Sequence, residues 1–308
     1  MNPLIANKAS FGRHETFPLR FGWVAKGYAA CREDPNVFEK DDAIVTLGVG
    51  KNMISAIRYW ITAVGVISTQ GRSLMPTDLG TAIFSEEGWD PYLENDATIW
   101  LLHWLLAANA TDATSMFWFF NRFHKPEFSA KELHDALLEF CNENITTRFS
   151  QSTLKHDVTL ILRMYQPARP SREGPFEESL DSPLSTLGLI TSIDGTRHYE
   201  SRPEFRGRLP LAPFGFAVAE IFEQVKQAAL PVEQFMHGDG CLAAPGSVFR
   251  LSQECLVRKL EELVRWLPRH FELRETAGIR QVYQLASISP YQVLRTHYEV
   301  RSVSEATA

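Results

Sequence analysis

Arg13, His14 and Glu15 follow one another inside the stretch Phe11-Gly-Arg-His-Glu-Thr-Phe17. A guanidinium can grip a non-bridging phosphate oxygen through paired N–H donors. An imidazole moves protons near neutral pH, and a carboxylate holds a divalent ion. Together they suit phosphodiester chemistry, with Arg13, His14 and Glu15 as candidate catalytic residues and Glu15 also as a metal ligand. In an extended segment alternate side chains point to opposite sides, so Arg13 and Glu15 share a face and His14 opposes them. A plain ion pair between Arg13 and Glu15 is the structural alternative. Asp157, beside Lys155 and His156, is the second candidate metal ligand and is expected on the exposed face of a helix. Asp41 and Asp42 read as a helix cap, Glu177, Glu178 and Asp181 as solvated loop residues, and His103 as a hydrogen-bonded core residue.

Other catalytic signals are missing. Gly48-x-Gly50-Lys51 resembles a phosphate loop only superficially, because the upstream glycine is lacking and Asn52 stands where a metal-binding hydroxyl belongs. There is no G-x-S-x-G, H-E-x-x-H or G-x-G-x-x-G. Cys31, Cys141, Cys241 and Cys255 form no C-x-x-C pair, which suits a reducing compartment. With no apolar leader the expected location is the cytoplasm. The apolar stretch Ala97 to Phe120 is interrupted by His103, Asn109, Asp112 and Ser115, and so reads as a buried helix pair rather than a membrane span. The 308 residues, 44% hydrophobic and 22% charged, describe an ordinary folded chain able to bury a large core. A net charge of −6 is unfavourable for contacts with phosphates unless the basic residues are grouped on one face.

The elements that would position these residues follow from periodicity. Residues 1 to about 40 look irregular, broken by Gly12, Pro18, Gly22, Gly27 and Pro35. Asp41 or Asp42 then caps a short helix with Ile44, Val45 and Leu47 on one face. Gly48-Val49-Gly50 makes a turn, and a second helix carries Met53, Ile57, Trp60, Ile61 and Val64 inward. Its opposite face presents Lys51, Asn52, Ser55, Arg58 and Tyr59. Val66-Ile67-Ser68 starts a strand, Thr69 to Ser73 forms a tip, and Leu74-Met75 returns before Pro76-Thr77-Asp78 opens the next helix. This is the order of a winged helix-turn-helix, with Lys51, Asn52, Ser55, Arg58 and Arg72 as candidate DNA-binding residues.

Further along, Ser129 with Glu132 resembles a capping box starting the helix Ala130 to Asn142. Ser150 to about Tyr165 reads as another helix, with Lys155 a candidate DNA contact. Pro167 to Pro175 reads as a boundary loop. Leu187-Gly-Leu-Ile190, the Asp194-Gly195 turn and Tyr199 suggest a second wing. Helices are expected over Phe214 to Ala229 and Glu254 to Val264, a strand over Gly246 to Leu251, and a closing hairpin from Phe271-Arg274 and Gln281-Leu285. The tail after Arg301 is expected to be loose. The fold class is mainly α with small β wings: an N-terminal segment with a winged helix-turn-helix (1–88), a helical middle (89–166), and a C-terminal α+β unit (176–300) read as a second winged-helix-like unit.

Three stretches carry a family resemblance. They are Phe11 to Trp23 with Lys26-Gly-Tyr28, Asp42 to Met53 with Ile57-Arg-Tyr-Trp60, and Gly246 to Leu251 with Thr276 to Gln281. In this order they resemble the SspB-type family of bacterial single-strand DNA phosphorothioation systems, from about Phe11 to Tyr283. The resemblance implies a magnesium-dependent DNA nickase acting on double-stranded DNA. It implies partners too: a cysteine desulfurase, an ATP pyrophosphatase-type sulfur-activating enzyme and an ATPase, which together place sulfur in the DNA backbone for antiphage defence. It carries over no catalytic residues, so the site residues above rest on their own chemistry. The competing reading is a non-catalytic DNA-binding adaptor or regulator that positions partner enzymes.

Overall fold

The computed structural model describes residues 1–71, 73–166, 182–238, 240–276 and 278–305. Arg72, the expected boundary loop Pro167 to Pro175, and Glu177, Glu178 and Asp181 lie outside the described residues. The chain is mostly helical with small antiparallel sheets, in keeping with the expected class. No helix among the described residues is long and apolar enough to cross a membrane.

The N-terminal region is less irregular than its glycines suggested. Phe21–Glu33 forms helix α1, and Gly22 and Gly27 lie within it. A Cβ at Gly27 would stand 2.7 Å from Ile61 Cγ2 and 2.9 Å from Ile57 Cγ2, so the missing side chain permits a close helix crossing. The crossing partner is α3 (Lys51–Ala63), which follows the short α2 (Ala43–Leu47). Helix α3 buries Ile54, Ile57, Trp60 and Ile61, with Val64 buried just beyond its end. Helix α2 departs from expectation: Leu47 is buried, but Ile44 and Val45 face outward. Five residues are too few for a one-sided apolar stripe, and Asp42 stands at the N-cap position without a side-chain cap bond. Strand β1 (Ile67–Gln70) pairs antiparallel with β2 (Ser73–Pro76), Ile67 opposite Pro76 and Gln70 opposite Ser73. Thr77 then caps α4 (Asp78–Phe84) by accepting from the Gly80 N–H at 3.0 Å.

Helices α5 (Asp96–Ala107) and α6 (Thr114–Asn121) form the aromatic centre, with Trp104, Phe117, Phe119 and Phe120 fully buried. His103 sits there as expected, bonded through Nδ1 to the Tyr165 hydroxyl (2.7 Å) and through Nε2 to the Val248 carbonyl (2.9 Å). Strand β3 (Glu127–Ser129) leads into α7 (Ala130–Asn144) through the Ser129–Glu132 capping box, and α8 (Gln151–Tyr165) follows. The hairpin of β4 (Thr191–Ser192) and β5 (His198–Glu200) turns through Asp194-Gly195, and β5 also pairs with β3, giving the order β3-β5-β4. This hairpin is therefore tied by its sheet to the strand that precedes α7.

Helix α9 (Leu211–Val225) starts and stops a few residues before its expected bounds, and Ala229 opens strand β6 (Ala229–Pro231) instead. Next come α10 (Val232–His237), α11 (Pro245–Val248) and α12 (Gln253–Trp266). Strands β7 (Phe271–Thr276) and β8 (Ile279–Gln284) form the expected closing hairpin, and their sheet has the order β6-β8-β7. Strand, helices, hairpin, with the first strand on the last, thus occurs in both halves of the chain. The strand expected over Gly246–Leu251 is instead α11 and its exit. Pro245 at the first helical position favours a helical start. Arg250 then takes a left-handed backbone (φ 49°) and buries its guanidinium against the Phe119, Phe120 and Phe123 carbonyls, capping the end of α6. Burial pulls the Arg250 pKa down to about 10. Of the tail expected to be loose after Arg301, the described residues, up to Glu305, continue helix α13 (Pro290–Glu305).

Candidate active site

The segment Ser10–Phe17 runs between α3 and α8, and its contacts explain how Arg13 and Glu15 are displayed. Helix α8 starts at Ser150, whose hydroxyl accepts from the Thr153 N–H at 3.1 Å. Its inward stripe is Leu154, Val158, Ile161 and Tyr165, with Asp157 among them at 3% exposure. Asp157 is thus on the opposite side of the helix from the expected one. Its Oδ1 accepts from the Gly12 N–H (3.0 Å) and from His14 Nε2 (2.8 Å), and its Oδ2 accepts from the Ser115 hydroxyl (2.5 Å). A carboxylate enclosed in this way is not available as a metal ligand.

His14 is held from both sides. The Thr16 N–H donates to its Nδ1 at 3.1 Å, which leaves Nε2 as the protonated nitrogen that donates to Asp157. The ring lies nearly parallel to Trp60 (6.2 Å, 14°) and edge-on to Tyr59 (6.1 Å). Trp60 Nε1 donates to the Phe17 carbonyl (3.1 Å), fixing the end of the segment. With its Nδ1 lone pair accepting and its ring 4% exposed, His14 anchors the loop in this arrangement. Tyr59, expected on the outer face, is half-buried and donates to the Asp112 carbonyl at 3.1 Å. Burial, reinforced by the negative charge of Asp157, pushes its hydroxyl pKa well up.

Arg13 and Glu15 point outward, and no salt bridge joins them or pairs either with another described residue. The plain Arg13–Glu15 ion pair therefore does not form. Glu15 (φ 50°) and Thr16 (φ 66°) are successive non-glycine residues in the left-handed region, each costing about 1–2 kcal/mol. The His14 and Asp157 bonds hold that strained turn. Gly12 is required for a different reason: with φ 71°, a Cβ there would lie 2.5 Å from Thr153 Cγ2 on α8.

Two polar helix faces flank the turn. On α3, Lys51, Asn52 and Ser55 are exposed, while Arg58 is half-buried and paired with Glu39 (2.5 Å). On α8, Gln151, Ser152, Lys155, His156, Thr159 and Arg163 are exposed. With Asp157 turned inward, neither helix presents a carboxylate to solvent.

Among the described residues no three His, Cys, Asp or Glu side chains gather to hold a metal ion. Magnesium usually keeps several waters and takes one or two carboxylates together with substrate phosphate oxygens. Glu15, an outward carboxylate beside an unpaired guanidinium, fits that mode, whereas an all-protein cage is not formed. Sequence reasoning missed Ser115 and the anchoring role of Asp157. The signal for the latter was present, since Asp157 falls three residues after Leu154 and four before Ile161, on the apolar stripe.

A family model described as "Protein of unknown function (DUF4007)" matches residues 11–298. The chain belongs to that family. Two solved structures, described as "Magnesium ion-bound SspB crystal structure" and "SspB crystal structure", resemble this DUF4007 member over most of its length. Each is 28% identical to it, covers 96% of this chain and 89% of its own, and superposes with a TM-score of 0.84. The likeness to SspB carried by the three sequence stretches thus extends through the tertiary structure. Comparison with functionally curated proteins gives no match.

Proposed function

We propose that this DUF4007 member docks on double-stranded DNA and nicks it in a magnesium-dependent step of an SspB-type phosphorothioation system, in the cytoplasm. The observation that carries the proposal is the strained Glu15–Thr16 turn, anchored through His14 to Asp157 and flanked by two helices without outward carboxylates. In a chain of net charge −6, such faces are where phosphates meet least repulsion. The likeness to SspB structures, one of them magnesium-bound, supports the same reading.

In this reading α2, α3 and the β1–β2 hairpin form a winged helix-turn-helix. Lys51, Asn52 and Ser55 face the DNA, and Lys155 on α8 contacts a second stretch of backbone. Arg58 joins them on leaving Glu39, and Arg72 is a further candidate DNA contact by its residue type. Arg13 neutralises charge that builds on the attacked phosphate. Glu15 holds a magnesium ion that, when bound, supplies Lewis-acid stabilisation of the same phosphate. His14, Asp157 and Ser115 position the turn. The sulfur-inserting enzymes of the system, namely a cysteine desulfurase, an ATP pyrophosphatase-type enzyme and an ATPase, are the proposed partners.

The test incubates the purified protein with supercoiled plasmid, with and without magnesium. Open-circle product that EDTA abolishes supports nicking. DNA binding without open-circle product under any divalent ion would instead identify a non-catalytic adaptor.

A further inference from the structure

A cavity of about 870 Å3 opens between the start of α1 and the turn joining α2 to α3. Its lining combines aromatic and apolar side chains with two cations and contains no carboxylate. Arg20 lies over the Trp23 ring, 5.1 Å from its centroid. Phe21 is 40% exposed and Ile44 47% exposed, although both are large apolar side chains. Lys26 reaches the Leu47 carbonyl at 3.2 Å, which holds its ammonium at the cavity wall. At the cavity edge the N–H groups of Lys51, Asn52 and Met53 precede the first intrahelical bond of α3, from Ile54 to the Gly50 carbonyl (3.1 Å). Gly50 caps them with no side chain, and a Cβ there would meet open space.

Aromatic faces, cations and backbone donors without a carboxylate match one ligand chemistry: a heteroaromatic base joined to a phosphate. We propose that this cavity receives an unpaired nucleotide of the bound DNA strand, with its base against Phe21 and its phosphate toward Lys26 and the start of α3. The assignment rests on the DNA reading above and extends it, because a base paired within the duplex cannot enter a pocket of this kind. The cavity is also linked to the candidate active site. Trp23 packs on Phe17 (6.3 Å), and Phe17 is the residue whose carbonyl Trp60 holds beside His14.

The experiment compares two otherwise identical duplexes, one fully paired and one with a single bulged 2-aminopurine, without magnesium. The wild-type protein should bind the bulged duplex at least about fivefold more tightly and quench the 2-aminopurine, since base–aromatic stacking stabilises by roughly that much or more. Phe21→Ala and Lys26→Gln should each bring the affinity ratio close to one, with unchanged circular dichroism. Phe21 is exposed at the first position of α1, so its replacement does not disturb the core. Equal wild-type affinity for the two duplexes overturns the cavity assignment alone. A preference that survives both substitutions places the unpaired nucleotide elsewhere and overturns it as well. Binding to neither duplex overturns the DNA reading and the cavity assignment together.

Discussion

His14 and Asp157, which are 143 positions apart, share a buried hydrogen bond of 2.8 Å, and this bond joins the N-terminal segment to α8. The same carboxylate accepts from Gly12 and Ser115, so one side chain fixes the backbone before the strained turn and one wall of the core beneath it. Asp157→Asn keeps the shape but turns one acceptor into a donor facing other donors. The expected cost is about 2–3 kcal/mol, from unsatisfied buried groups. Urea unfolding measures it, and nicking should fall in parallel as the turn loses its anchor. A variant as stable as the wild type would show that Asp157 does not hold the segment.

Glu15 behaves oppositely in this account, because no described residue pairs with it. Glu15→Gln should leave stability within about 0.5 kcal/mol of wild type, as for other exposed positions without partners. Open-circle product should nevertheless disappear while duplex affinity changes less than about threefold. Glu15→Gly should lose nicking too, but with stability equal or raised, since glycine relieves the left-handed backbone. Retained nicking in Glu15→Gln moves the metal-holding carboxylate elsewhere.

Docking through α3 and α8 predicts a salt signature. Lys51→Ala and Lys155→Ala should each weaken duplex binding and lower the salt slope by about one. Arg58 is engaged by Glu39, so Glu39→Gln should strengthen DNA binding by freeing the guanidinium. Fluorescence anisotropy over a salt series reads these three variants and Arg58→Ala. Tighter binding in Arg58→Ala than in Glu39→Gln would exclude Arg58 from the interface.

Burial lowers the His103 pKa from its ordinary 6.5 to about 3, with Arg250 and Arg206 adding to the effect. Between those values the unfolded chain takes up a proton that the folded chain refuses. Stability from this source is therefore fully present above about pH 6.5 and falls as pH falls toward 3. Urea midpoints at pH 7.5, 5.5 and 4.5 should decline more steeply for wild type than for His103→Gln. Parallel declines would mean that the imidazole is protonated inside the fold.

Local order was legible wherever it depends on neighbouring residues. The inward stripe of α3, the β1–β2 and β7–β8 hairpins, the Ser129–Glu132 box and the aromatic pair α5–α6 all follow from periodicity and turn chemistry. The likeness to SspB was also readable from residue types in order. What tertiary structure decided is what depends on distant contacts. Gly22 and Gly27 looked like breakers, yet they sit in a helix because Ile57 and Ile61 cross close to Gly27. The chain at Gly246–Leu251 has strand-like composition but turns as α11, with Arg250 drawn to carbonyls more than a hundred residues away. Asp157 read as an outward ligand beside Lys155 and His156. Only its burial against His14, Gly12 and Ser115 made it an anchor, because a carboxylate's role is set by which donors the fold brings within hydrogen-bonding distance.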